Sequence, residues 1–374
     1  MFGWGANEGI NRVIPYWGAT TGSLKNHLYA QGIEAYEASV GPISSAWDQA
    51  CELYAQLTGT RVDYGAAHSE KNGHHRFGRR YFSPLFSGWS AQKKVHLIGH
   101  SFGGLCIRLM THLLTYGAPE EVEATGEDTS PLFVGGKADL VMSVTTICTP
   151  QNGTSVYDMV QLLRLLKPAK SVVYTYCGLA GRSSLNTKLV DFHLEQFGLT
   201  DHPGEHSADD LLTSVSRLYN SPDSIEHDLS DAGSAEFNAR VRISPSVYYY
   251  SYAFNCIKTV GKKRHHVPVC WLPILTWLSQ LMILGSKRSA KNGKKVEYSN
   301  DGLVNVRAAL YPHKDPHENF RNGKAVKPGC WNVMPLCKGD HGTPIGLFAS
   351  TQKTHAFYAR HLAHLRRIET ASAE

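Results

Sequence analysis

The stretch VHLIGHSFGGL, Val95 to Leu105, sets a serine in the pattern G-x-S-x-G, Gly99 to Gly103. An apolar run precedes it and a helical pattern follows. That is the context in which a sharp strand-to-helix turn presents a nucleophilic hydroxyl. Ser101 would stand at the apex, with the Phe102 N–H as one donor to a developing oxyanion. An ordinary turn with a capping serine is the competing reading, and the flanking elements favour the first. A serine nucleophile needs a base, and the base needs an orienting acid. In folds with this elbow the chain order is Ser, acid, His. YSNDGLVNV places Asp301 on a turn, and CKGDHGTPIG places His341 in a glycine-bounded loop before the last helix. His313, His317 and His355 compete with His341 on spacing alone, but its short glycine-flanked loop favours His341.

A second cluster lies in GAAHSEKNGHHRFG, Gly65 to Gly78, with His68, His74 and His75. The segment is too polar for a core. Two histidines six residues apart are a weak pattern, equally compatible with surface residues and with metal ligands.

The elements that must position these residues alternate. KKVHLIG, DLVMSVTTICTP and SVYYYSYAF are short apolar runs of the buried-strand type, and GIEAYEAS, from Gly32, alternates like a strand. SSAWDQACELYAQL, GGLCIRLMTHLLTYG and TQKTHAFYARHLAHLRRIE have helical periods, the first with Ser44 or Ser45 as N-cap. Alternating strands and helices indicate an α/β fold with a mainly parallel sheet and helices on both faces. We read residues 1–374 as one catalytic domain with insertions at about 43–90 and 151–240. Both leave the carboxyl edge of the sheet, where ligands bind in open α/β folds.

Composition narrows the function. Hydrophobic residues make up 42% of the 374 and charged residues 19%, which fits a globular core. The net charge of +6 is concentrated in two basic runs, near Lys262 and near Lys294. No helix-turn-helix, RNA-binding signature or zinc-finger spacing is present, which argues against nucleic acid as a partner. Eight dispersed cysteines do not make a disulfide scaffold, although Cys330 and Cys337 are close enough in sequence to pair. VPVCWLPILTWLSQLMILG, Val267 to Gly285, is interrupted by prolines, Ser279 and Gln280. It suits a buried or interfacial helix better than a transmembrane one. The opening MFGWGANEG has neither the basic start nor the apolar core of a secretion signal.

At longer range the chain resembles the thermoalkalophilic bacterial lipases of the Geobacillus type, with the related staphylococcal lipases and clostridial polyester-cleaving esterases. The resemblance is carried by YWGATTGSL, by VGPISSAWDQACELYAQLTGTRVDYGAAHSEKNGHHRFGR, and by GHSFGG, LVMSVTTICTPQNGT, NDGLVNV and GDHGTPIG. It implies an α/β-hydrolase with the triad Ser101, Asp301 and His341. It also implies a subdomain that binds a structural zinc, with Asp48, His68, His74 and Asp228 at the matching positions. GTSVYDMVQLLRLLKPAKSVVYTYC matches the family's helical lid. Where the family holds calcium after the catalytic histidine, HGTPIGLFAST offers no carboxylate, so calcium is not expected there. The implied activity is ester hydrolysis on acylglycerols or other hydrophobic esters, polyesters included, at a lipid–water interface, by a secreted protein. A thioesterase or acyltransferase on the same scaffold, and a non-catalytic lipid-binding protein, are the alternatives. The family's apolar strand before the segment matching FGWG has no counterpart, so a central strand is expected to be missing. Met1 then stands where the second oxyanion donor belongs.

Overall fold

The computed structural model describes residues 14–162, 191–198, 213, 216–217, 221–262, 265–290 and 297–373. The strands in chain order are β1 (Arg61–Asp63), β2 (Phe77–Arg80), β3 (Val95–His100), β4 (Val141–Ile147), β5 (Tyr248–Tyr252), β6 (Phe254–Asn255), β7 (Ile257–Val260), β8 (His265–Pro268), β9 (His317–Asn319), β10 (Trp331–Val333) and β11 (Cys337–Lys338). Five of them form the central sheet in the order β3-β4-β5-β10-β9, and every pairing in it is parallel. The run of apolar residues in β3 and β4 follows from burial on both faces. Successive residues point to opposite faces. Leu97, Val144 and Tyr249 join the core under the Ala46–Thr58 and Gly103–Tyr116 helices. Ile98, Ile147, Tyr250 and Tyr252 pack with Phe357, Tyr358, Leu365 and Ile368 of the Thr351–Ala373 helix on the other face.

The Gly103–Tyr116 helix is buried from Gly103 through Leu114, so it has no polar stripe. Leu105, Leu109 and Leu113 are each within 1% of full burial, which stabilises the fold by about 1.5–3 kcal/mol per side chain. The Ala46–Thr58 helix starts at Ser45, whose hydroxyl accepts from the Asp48 N–H at 3.2 Å, and ends at Gly59 in the left-handed region. Ser45, one of the two cap candidates, is therefore the N-cap.

Three features go beyond or against the sequence expectation. The GIEAYEAS segment forms no ladder among the described residues, with only an isolated bridge at Ala38. The cause lies beside it. Among the described residues β3 is an edge strand, and a cavity of about 400 Å³ separates it from Ile33–Ala38. Leu53 and Leu57 wall this space from one side and Leu362 and Leu365 from the other. Secondly, Cys330 and Cys337 are both free. Thirdly, Val267–Gly285 is divided: β8 pairs antiparallel with β7, and a helix then runs over Pro273–Ala290. No described helix is long and apolar enough to cross a membrane. The Ser155–Leu162 helix begins the segment matched to a lid; Leu163, Leu165 and Leu166, also assigned to that lid, lie outside the described residues.

Candidate active site

Ser101 follows β3 directly and has φ +56°, a backbone state that costs a non-glycine residue about 1–2 kcal/mol. Its N–H is held by the Ile147 carbonyl at 2.8 Å, which ties the turn to the end of β4. Glycines make the turn sterically possible. A Cβ on Gly99 would lie 2.6 Å from the Gly103 carbonyl oxygen, and one on Gly104 would lie 2.0 Å from Thr149 Oγ1. The turn therefore points the hydroxyl outward at the head of a helix. The Phe102 N–H makes no hydrogen bond among the described residues, so it is free to receive an oxyanion.

The Ser101 Oγ lies 2.8 Å from His341 Nε2, and His341 Nδ1 lies 2.9 Å from Asp301 Oδ2. The structure thus brings Ser101, His341 and Asp301 together, while His313 lies on an exposed loop and His355 stacks on His27. Asp301 is buried. Burial pushes its carboxyl up, but the His341 ring and the Leu303 and Val304 N–H donors outweigh it and hold the carboxyl below its usual range. Those N–H groups donate to Oδ1 at 2.9 and 2.7 Å, leaving Oδ2 to the histidine. The carboxylate is thereby kept ionised, with one oxygen committed to orienting the ring.

Two supports were not legible beforehand. Asn300, fully buried, shapes the acid turn: its Oδ1 accepts from Ser279 Oγ at 2.7 Å and from the Gly302 N–H at 3.0 Å. Its Nδ2 donates to the Tyr298 carbonyl at 3.0 Å. His100, the variable residue before the serine, lies behind His341. Its Nε2 sits 2.9 Å from the His341 carbonyl, which can only accept, so Nε2 carries the proton. Nδ1 then accepts from the Tyr16 hydroxyl at 2.7 Å. Burial, reinforced by the neighbouring His341, lowers its pKa to about 3, so His100 stays neutral. No spacing rule identifies either residue, because Ser279, Tyr16 and His341 lie far from them in sequence.

Among the described residues two side-chain groups are of a type able to hold a metal: His100 with Cys148 and His341, and Asp48 with His68, His74 and Asp223. In the first, the nitrogens of both histidines are already engaged as described. The second is different. His68 Nε2 lies 2.9 Å from Asp223 Oδ2 and 3.5 Å from Asp48 Oδ1, and His74 Nε2 lies 3.3 and 4.0 Å from the same two oxygens. Ligand atoms about 2.0–2.1 Å from a tetrahedral zinc would be roughly 3.3 Å apart. Asp48 Oδ1 and His74 Nε2 are buried without a hydrogen-bond partner, which is costly unless something else meets them. Surrounding groups orient the set. Gln196 Nε2 donates to Asp48 Oδ2 at 2.8 Å, and the His75 carbonyl takes the proton of His74 Nδ1 at 3.0 Å, leaving Nε2 as a lone pair. Trp47 stacks on His68 with ring centroids 4.8 Å apart.

Asp228 is not in this group, and the assignment implied by the resemblance is corrected here. Its Oδ2 accepts the Ala46 N–H at 2.8 Å, at the start of the Ala46–Thr58 helix. Asp223, five residues earlier in the same acidic stretch, points at the histidines instead. SPDSIEHDL offers two aspartates before and within one short helix, and only the tertiary contact separates them. Met1, the other expected oxyanion donor, lies outside the described residues.

Comparison with known proteins agrees with this geometry. The family described as "Lipase-like, C-terminal domain" matches residues 4–369. A lipase of Staphylococcus hyicus is 33% identical over 368 residues, covering 96% of this chain and 55% of its own length. Lipase 2 of Staphylococcus aureus is 33% identical over 370 residues, 96% of this chain and 52% of its own. The chain thus spans about half the length of the curated relatives it matches. The crystal structure of Staphylococcus hyicus lipase superposes with a TM-score of 0.84 at 30% identity, covering 100% of this chain and 96% of that one. EstA from Clostridium botulinum gives 0.77 at 35% identity, covering 97% and 86%. A strained serine within reach of a histidine and a buried aspartate, on a parallel sheet superposable on these proteins, agrees with the family match, and the chain belongs to the lipase-like family.

Proposed function

We propose that this chain hydrolyses carboxylic esters of hydrophobic acids through a serine acyl-enzyme, as a lipase or carboxylesterase. The carrying observation is Ser101 at φ +56° with its Oγ 2.8 Å from His341 Nε2. Ser101 Oγ attacks the ester carbonyl carbon while His341 Nε2 takes the hydroxyl proton. Asp301 holds Nδ1–H and stabilises the imidazolium. The carbonyl oxygen gathers charge at the Phe102 N–H, at the positive end of the Gly103–Tyr116 helix. The ester C–O bond then breaks, and the proton on Nε2 passes to the departing alcohol. Water, activated by the same histidine, releases the acid and restores Ser101. Relatives named lipase support acylglycerols and other hydrophobic esters as the substrate class; polyesters present the same ester carbonyl to the serine. Their site of action would be a lipid–water interface outside the cell. Residues 1–374 act as one domain, the insertions at about 43–90 and 151–240 carrying the metal site and the lid.

Asp48, His68, His74 and Asp223 would hold a structural zinc. Two carboxylates and two neutral imidazoles balance a divalent charge in a closed four-ligand set, the arrangement of a site that binds rather than reacts. The ion would tie the Ala46–Thr58 helix to the His68–His74 segment and to Asp223.

The deciding test is a chain-length series of soluble esters beside an emulsified triglyceride, run on wild type and Ser101→Ala, with fluorophosphonate labelling of the serine. Labelling at Ser101 with turnover on esters is expected. Equal turnover by Ser101→Ala, or preference for a matched thioester, would overturn the proposal.

A further inference from the structure

The chain's net positive charge comes from one region. Residues 256–296 contain nine Lys and Arg and no Asp or Glu, in a chain whose net charge is +6. The rest of the molecule is therefore net negative, by three. The nine fall in two runs, 258–264 and 287–295, and between them lies the apolar stretch that forms β8 and the Pro273–Ala290 helix.

That helix has two apolar faces. The inner one carries Leu275, Ser279, Met282 and Ile283, all buried. Ser279 holds Asn300, Leu275 abuts Gly302, and Gly285 backs onto Met159. The outer face carries Ile274, Trp277 and Leu284, which the 3.6-residue period brings to one side, and Lys287 continues the same stripe. Ile274 and Leu284 are each 55% exposed and Trp277 45%. Trp271, just before the helix, is 70% exposed. A helix that only covers a core has a polar outer face. This one presents aromatic and aliphatic groups to water and ends in a basic run.

The β7–β8 hairpin extends the surface. Lys258 faces Val267 and Val260 faces His265 across the ladder, and all four are exposed. His266 stacks on Tyr298 with centroids 4.0 Å apart, and Lys287 Nζ lies 5.9 Å from the same ring, so hairpin and helix share one anchor. The surface is also joined to the segments that carry the catalytic residues. The Trp271 N–H donates to Asp340 Oδ2 at 2.8 Å, one residue before His341, and the inner face of the helix supports the turn bearing Asp301.

We infer that the outer face of the Pro273–Ala290 helix, with the β7–β8 hairpin, docks the protein on an anionic lipid surface. Exposed tryptophan and aliphatic side chains seat at the head-group level. A cationic rim is drawn to anionic lipid within a Debye length. Aliphatic groups at the centre of the patch fit a lipid surface better than a single-stranded nucleic acid, whose bases stack on aromatic rings. Docking would bring the catalytic residues near ester carbonyls. That purpose rests on the ester-hydrolase reading, whereas the docking itself does not.

The test uses the full chain carrying Ser101→Ala, so that lipid is not consumed, in cosedimentation with vesicles of phosphatidylcholine alone or mixed with phosphatidylglycerol. Binding to the anionic vesicles should be at least roughly tenfold tighter, and this preference should vanish at about 0.5 M salt. Lys258→Gln with Lys262→Gln should cut anionic binding roughly tenfold and leave phosphatidylcholine binding unchanged. Ile274→Gln with Trp277→Gln should weaken binding to both vesicles. On the Ser101 background, each double variant should keep turnover of a soluble short-chain ester within about twofold, which also reports folding. Equal binding to the two vesicles, indifference to both double variants, or tighter retention on single-stranded DNA than on anionic vesicles would each overturn the inference. Docking without any soluble-ester turnover by the wild type would instead sink the hydrolase reading and leave the surface standing.

Discussion

Ser101 hydroxyl chemistry depends on groups that never touch substrate. Ser101→Ala should lower ester turnover by roughly 10⁴-fold or more with the fold unchanged, because the three residues act as a unit; circular dichroism beside initial rates checks it. Asn300 offers a finer test. Its Oδ1 joins Ser279 to the Gly302 N–H, so it fixes the turn that aims Asp301. Asn300→Ala should reduce kcat by roughly 10- to 100-fold with little change in KM, since a displacement near 1 Å misaligns the base. An unchanged kcat would show that the turn holds without it. The nucleophile was legible in the sequence because an elbow is local: glycine, serine and glycine must be neighbours. Asn300 and His100 were not, because what makes them matter lies on other elements: Ser279 for Asn300, Tyr16 and His341 for His100.

Elements explain both what sequence reading placed well and what it misplaced. The core strands at Val95, Val141 and Tyr248 and the helices at Ala46, Gly103 and Thr351 declare themselves through periodicity and caps. GIEAYEAS has the right alternation yet forms no ladder among the described residues, since a strand needs a partner as well as a pattern. The acid pair around Ile225–Leu229 is the sharper case. Asp223 faces His68 and His74, while Asp228 receives the N–H at the head of the Ala46–Thr58 helix. The two should therefore fail differently. Asp223→Ala should bring bound zinc, measured by elemental analysis, from about one per chain to well below it, and should lower the melting temperature markedly. Asp228→Ala should keep the metal and cost only about 1 kcal/mol, the usual worth of an N-terminal cap. Metal loss in Asp228→Ala with retention in Asp223→Ala would restore the family-based assignment.

Across the whole molecule, three buried histidines tie distant segments together, and all three are held neutral. Burial lowers His100 to about 3, His361 to about 3 and His112 to about 4. His361 is the clearest. From the Thr351–Ala373 helix its Nε2 meets Thr145 Oγ1 of β4 at 2.9 Å, and its Nδ1 meets the Tyr252 hydroxyl of β5 at 3.0 Å. Unfolded, each would titrate at about 6.5. Between that value and 3 to 4 the unfolded chain takes up protons that the folded chain refuses, so stability must fall as pH falls. It is fully present above about 6.5 and is lost progressively below, at up to about 1.4 kcal/mol per pH unit for each histidine. Urea unfolding at pH 7, 6 and 5 should show this decline. His361→Phe should flatten the slope by about one histidine's share, even though losing two hydrogen bonds makes it less stable at pH 7. The ligands at Asp48 and His68 are remote from this helix, so the variant should retain its metal, which separates the effect from acid release of an ion. A slope in His361→Phe as steep as in the wild type would mean that the acid sensitivity comes from elsewhere in the molecule.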